Sequence, residues 1–256
     1  MSRAHRHLLG AAATLLSVGA SACRCDRGEP ATTDAQAALG PLVESSWLVE
    51  LQVPEHAPAQ VAVPLGSIEP RPVVIALHGG SDRPEWQCGT WAGVTAGAPF
   101  IVCPTGVPAP TPGRYTFAAL DRTEREVRAA LDAAKRRWGW RIAGRSVVLA
   151  GYGLGAEHAA LLQRREPAFF SSLVLIDGGA ASWNPTVAAA FVHRGGRRVW
   201  FGCTRAECEP VVERAKLFTV RAGGDARAVS SRADGGLLGA ATRAALRADW
   251  DWISAE

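Results

Sequence analysis

The sequence predicts an α/β fold, a mostly parallel eight-stranded sheet flanked by helices. Two observations predict it. Several short segments are continuously apolar instead of alternating, as strands covered on both faces must be: "VVIAL" (Val73–Leu77), "PFIVCP", "SVVLAG", "SLVLID" and "RVWFG". Between them lie longer, charged segments whose apolar residues recur at helical spacing.

The elements follow in order. "WLVELQV" (47–53) alternates apolar and polar residues and reads as a half-exposed strand. "PEHAPAQ" is a turn containing His56, and "VAVP" (61–64) is a short second strand. The third strand, at 73–77, runs into His78-Gly79-Gly80; the fourth lies at 99–104. "LDRTEREVRAALDAAKRRWGW" places Leu120, Val127, Leu131, Ala134 and Trp138 on one helical face and its charges on the other. Strands at 146–151, 172–177 and 198–202 follow, with a weaker one at 226–230. Helices are expected at "GAEHAALLQRR", at "CEPVVERAKLFTVRAGG" where Gly223-Gly224 stops it, and at "LLGAATRAALRADWDWISA". His193 closes a helix in "AAFVHRGG", where a cation suits the negative end of the helix.

The first residues read as an address, not as fold. "MSRAHRH" is a basic n-region, "LLGAAATLLSVGA" is an apolar stretch too short to span a bilayer at ~20 residues, and "ASAC" follows. Residues 1–22 are the expected signal peptide, and Cys23 the expected lipidation site after cleavage; plain cleavage and secretion is the alternative. Residues 23–44 read as a tether, and 45–256 as the domain. The expected location is outside the cytoplasm: periplasm or outer membrane for a lipoprotein, or secreted. The net charge of +4 is small and the arginines are spread along the chain without a basic block, so nucleic acid is not an expected partner.

Two motifs carry a resemblance. "ALHGG" is similar to an oxyanion loop after the third strand, and "GYGLG" occupies the strand-to-helix turn where a nucleophile elbow G-x-S-x-G belongs. With the order of strands and helices, residues 45–256 resemble the α/β-hydrolase superfamily, in particular its compact feruloyl-esterase, polyhydroxybutyrate-depolymerase and dienelactone-hydrolase-like members. The resemblance implies an α/β-hydrolase fold. Only about 20 residues separate the strands at 172–177 and 198–202, so no large lid domain is expected. It also implies a cleft at the carboxyl ends of the strands, bordered by His78, Gly79, Gly80, Ser81, Tyr152, Leu154 and Asp177.

The catalytic positions are degenerate. Gly153 stands where the resemblance implies serine. The loop that would carry the histidine, "SSRADGGLLG" (230–239), has Ser231, Arg232 and Asp234 but no histidine. His78 reads as a hydrogen-bonder of the oxyanion loop and His158 as a packed or rim residue. The acid position is represented by Glu207 or by Asp177. Ser81 and Ser231 are the candidate hydroxyls to face the vacant pocket, each without an evident base. A hydroxyl nucleophile needs its base, and losing both leaves only what binding and an oxyanion hole provide. The expectation is therefore a pseudo-hydrolase acting as a cell-envelope binding or scaffold protein for a small-molecule or envelope ligand, with no cofactor and no metal. The alternative is an active carboxylic-ester hydrolase with a non-standard nucleophile.

Four cysteines remain beyond the leader region. Their spacings do not suit the common zinc arrangements, and this fold sets the two pairs about four strands apart, roughly 19 Å. Disulfides Cys88–Cys103 and Cys203–Cys208 are expected. Trp86, Trp91 and Trp183 are expected to border the cleft, and Trp138, Trp140, Trp250 and Trp252 to pack between helices and sheet.

Overall fold

The computed structural model describes residues 40–165, 169–234 and 238–255. The signal peptide, Cys23 and the tether up to residue 39 lie outside the described residues, as do Gly235 and Gly236 of the loop before the last helix.

Eight strands form one sheet: β1 (Leu48–Leu51), β2 (Ala59–Ala62), β3 (Arg71–Leu77), β4 (Phe100–Cys103), β7 (Ile142–Tyr152), β8 (Phe170–Ile176), β9 (Arg198–Cys203) and β10 (Asp225–Ser230). Their spatial order is β1-β2-β4-β3-β7-β8-β9-β10. β2 runs antiparallel to both neighbours; every other pairing is parallel. The second strand starts two residues earlier than the sequence predicts, because Ala59 and Gln60 pair with Leu51 and Glu50 of β1. A separate hairpin, β5 (Val107–Pro108) with β6 (Tyr115–Thr116), was not predicted; two residues per strand are too few to show a pattern.

The pleat divides the core. Val73, Ile75 and Leu77 of β3, Leu149 of β7, Leu173 and Leu175 of β8 and Phe201 of β9 fill one face. Val74, Ala76, Val148, Ala150, Val174, Ile176 and Trp200 fill the other. Helices α2 (Leu120–Trp138), α3 (Leu154–Arg165), α4 (Pro185–His193) and α5 (Glu209–Arg221) cover the first face. Helices α1 (Pro84–Val94) and α6 (Ala240–Ser254) cover the second. Both faces of β3, β7 and β8 are therefore dry, and this is what made their sequences continuously apolar.

Both expected disulfides are present. Cys88–Cys103 ties α1 to β4, and Cys203–Cys208 closes a short loop after β9. Trp91 and Trp183 are not at the cleft. They are buried to within 2% of full coverage, Trp91 on the inward face of α1 and Trp183 against Phe191 and Phe201 with its Nε1 donating to Thr219. Residues 40–44 pack on the domain: Leu42 is buried and exchanges backbone hydrogen bonds with Gly66 and Ser67, while Glu44 accepts from Trp138 Nε1 at 3.0 Å and pairs with Arg137.

Candidate active-site cleft

The cleft forms where β3, β7 and β8 end. From β3 the chain enters His78-Gly79-Gly80-Ser81. Asp82 then exchanges two backbone hydrogen bonds with Tyr115 of the β5–β6 hairpin, which pins this loop from above. Ser81 adopts φ +56°, a left-handed conformation costly for a residue with a Cβ. From β7 the chain turns sharply through Tyr152-Gly153 into α3. From β8 it enters Asp177, also left-handed at φ +53°.

The turn after β7 explains which glycines are obligatory. A Cβ on Gly151 would lie 2.4 Å from the Gly155 carbonyl oxygen, and one on Gly155 would lie 2.3 Å from the Leu77 carbonyl oxygen. Neither fits, so the strand and helix can meet only as they do. Gly153 is different. Its φ is +53°, and a Cβ there would have Gly79 Cα as its nearest neighbour at 3.9 Å. The turn thus keeps the backbone of an elbow and the space for a side chain, and holds none. The peptide is locked by Gly153 N–H donating to the Ile176 carbonyl, and by Ala156 and Glu157 N–H donating to the Gly153 carbonyl.

The cleft is open, about 480 Å³, and lined by Gly79, Gly80, Ser81, Asp82, Trp86, Gln87, Thr90, Tyr152, Gly153, Asp177, Arg205 and Leu238. Gly80 sits beside Leu154, whose side chain would be 3.7 Å from a Cβ on Gly80. This brings the oxyanion-type loop against the first turn of α3, whose dipole favours negative charge. Burial and the neighbouring Asp177 push the Tyr152 phenol above its ordinary range, so it stays neutral. Asp177 accepts from Thr204 N–H at 2.8 Å and from the Thr204 hydroxyl, which hold its carboxylate in place. Trp86 is half exposed at the rim, with the Arg114 guanidinium 4.2 Å over its ring.

Other expected residues are elsewhere. His78 is fully buried: its ring stacks on Phe117, and its nitrogens face the carbonyls of Gly79 at 2.7 Å and Thr105 at 3.0 Å. It braces the loop from behind and does not line the cleft. His158 is buried one turn into α3, and burial lowers its pKa. Ser231 is buried at the end of β10, its N–H donating to the Cys203 carbonyl, and it does not line the cleft. Glu207 lines an adjoining depression of about 390 Å³, which shares Asp177 and Arg205 with the cleft. Sequence reasoning missed Asp82, Gln87, Thr90 and Arg205. The first three lie on or just before α1, which the sequence did not announce, and Arg205 is carried in by the Cys203–Cys208 loop.

Chemically, the arrangement can receive a hydrogen-bond acceptor between Gly80 and the start of α3. No histidine lines the cleft among the described residues, and the side chain at the turn that would attack is absent. Asp177, Cys203 and Cys208 place donor atoms within 4.8 Å of one another, but both sulfurs are committed to the disulfide.

Comparison with solved structures places this geometry. The chain is similar to a carboxylesterase from Mesorhizobium loti, with TM-score 0.55 and 16% identity over 82% of this chain and 100% of that one. It is similar to Est1E from Butyrivibrio proteoclasticus, with TM-score 0.55 and 13% identity over 82% and 100%. It is also similar to the Bacillus cereus carboxylesterase, with TM-score 0.50 and 16% identity over 72% and 89%. No family model and no curated protein matches the sequence. At such identities the likeness speaks for architecture, and sheet order, elbow and oxyanion-type loop agree with it: the chain has the α/β-hydrolase fold.

Proposed function

We propose that this protein is a catalytically inactive member of the hydrolase fold that binds a ligand in the cleft where its relatives in shape cleave esters, and that it does so outside the cytoplasm as an envelope binding or scaffold protein. One observation supports the reading above all: the elbow position is Gly153, with room for a side chain and none present. The missing histidine compounds it. A hydroxyl elsewhere in the cleft meets no histidine among the described residues, and removing a triad member leaves only ~10³–10⁴-fold catalysis over water. The expected leader and Cys23 support export, and both disulfides fit an oxidising compartment.

A second reading, an active ester hydrolase with a non-standard nucleophile, is favoured by Ser81, which lines the cleft and is held in a left-handed conformation. Strain of this kind accumulates at functional sites. A fluorophosphonate probe and turnover of p-nitrophenyl acetate separate the two. Absence of labelling and turnover at background rate support the binder. Labelling that disappears in Ser81→Ala supports the hydrolase and overturns our reading. For the binder, a panel of simple esters and carboxylates should contain a compound that raises the melting temperature, and Arg205→Ala should diminish that rise.

A further inference from the structure

We propose that the end of the molecule opposite the cleft is a membrane-facing surface that docks on an anionic lipid bilayer. The cleft lies at the carboxyl ends of β3, β7 and β8. Ile68 lies just before β3 begins, and Trp140 and Arg141 lie just before β7 begins. Leu65 follows β2, whose antiparallel course brings its carboxyl end to the same side. Val43 joins them, because Leu42 is hydrogen-bonded to the 66–67 turn and Arg141 donates to the carbonyls of both Ser67 and Gly40.

The composition of this end is unusual for a surface exposed to water alone. Val43 is 80% exposed, Ile68 62% and Leu65 47%. Scattered single hydrophobics are ordinary, whereas a group held together by one set of turns calls for an occupant. Val43 also borders a shallow depression of about 590 Å³ lined by Arg136, Arg137, Trp140 and Arg141. The Arg141 guanidinium lies 4.8 Å from the centre of the Trp140 ring. Arg136 is exposed and forms no ion pair among the described residues. The nearby acids are Glu44, neutralised by Arg137 at 3.1 Å, and Glu50, whose carbonyl accepts from Arg137, with Glu69 and Asp132 exposed on the flanking segments. Exposed apolar side chains beside Arg136, Arg137 and Arg141, with the Trp140 indole among them, match the headgroup boundary of an anionic leaflet.

The direction of the chain argues for a bilayer over another occupant. The domain's first described residue, Gly40, sits at this end, held by Arg141. The 17 residues from Cys23 to Leu39 span at most roughly 60 Å when extended, so a lipid on Cys23 would tether the domain within reach of the membrane through the end that carries Gly40. Docking it would turn the cleft away from the lipid, toward ligands in solution. The inference does not depend on whether the cleft is catalytic.

The test uses the chain with Cys23→Ser, which cannot be lipidated, sedimented with vesicles of phosphatidylglycerol and phosphatidylethanolamine. We expect co-sedimentation, about fivefold weaker with pure phosphatidylcholine or at roughly 0.5 M salt. We also expect Val43→Asp/Ile68→Asp to weaken it by about fivefold or more while its melting temperature matches the parent, since both side chains are exposed. Arg136→Glu should weaken it less. No binding to either vesicle, or binding that the double variant leaves unchanged, overturns the proposal. So does a concentration-dependent dimer abolished by the double variant without vesicle binding, which would assign the face to a second copy.

Discussion

At Gly153 the turn has room for a side chain and carries none, and the geometry says what placing a serine there would do. The site accommodates a Cβ, so Gly153→Ser should fold. The left-handed backbone makes it costlier than glycine by about 1–2 kcal/mol, which for a domain of this size lowers the melting temperature by roughly 2–8 °C. Turnover of p-nitrophenyl acetate should stay at background, because the new hydroxyl meets no histidine. A serine variant that hydrolyses the ester at once would mean that a base in the cleft has gone unrecognised. Glu126 offers a second residue-scale prediction. It is buried on α2 and accepts the Gly106 N–H at 2.7 Å. Burial raises its pKa, against the lowering effects of that hydrogen bond and of His56, His78 and Arg122. A raised folded-state pKa favours the protonated form. The associated stability is complete below the ordinary carboxylate range and is lost as pH rises through the folded-state value. Glu126→Gln should therefore leave the melting temperature near the parent's at about pH 4 and raise it by a few degrees, roughly 2–4 °C, at about pH 7.5. Equal effects at both pH values in thermal melts would contradict this assignment.

At the scale of elements, the start of α6 shows how a loop residue can organise a helix. Asp234 accepts from Ala241 N–H at 3.1 Å, from Thr242 N–H at 2.7 Å and from the Thr242 hydroxyl. It caps the helix from outside, since Gly239 at the boundary has no side chain to do so. Burial acts to raise its pKa, but the Thr242 hydroxyl and the N–H groups outweigh it and hold the carboxyl below its ordinary value. Such stability is present above the unfolded pKa and is lost as pH falls through the lower folded one. Asp234→Ala should cost about 1–2 kcal/mol near neutral pH, and the difference from the parent should shrink below about pH 3; urea melts at two pH values check both. The same level shows what the sequence made legible. Strands β3, β4, β7, β8 and β9 announced themselves because each is buried on both faces. Helix α1 did not. Its buried stripe, Pro84, Gln87, Cys88, Trp91 and Val94, has helical spacing, but a polar Gln87 lies inside and Trp86 lies half outside, so the apolar pattern is inverted just where it would be read. The cleft residues that α1 and the loop before it supply were missed for that reason. The elbow was legible because Gly151 and Gly155 are demanded by backbone contact alone. Ser231 and Glu207 were placed by analogy of position; no contact requirement in the sequence could show which way their loops face.

For the molecule as a whole, the two disulfides act on very different lengths of chain, and this separates their effects. Cys88–Cys103 spans 15 residues and joins α1, on one face of the sheet, to β4 within it, with both cysteines fully buried among Val74, Ile101 and Trp91. In the chain-entropy model a loop of this length contributes about 3 kcal/mol. Cys203–Cys208 spans 5 residues and shapes the turn that carries Thr204 and Arg205 beside Asp177. Its loop constrains the unfolded chain less, and its effect belongs to the cleft more than to stability. Cys88→Ser/Cys103→Ser should lower the melting temperature by roughly 6–12 °C, while Cys203→Ser/Cys208→Ser should lower it less but weaken any ligand whose binding depends on Arg205. Differential scanning calorimetry of both variants, with ligand titrations on the second, makes the comparison. A larger loss of stability from opening the short loop than from opening the long one would show that the bridge beside Asp177 holds the sheet's edge together, and that the fold does not rest on the staple between α1 and β4.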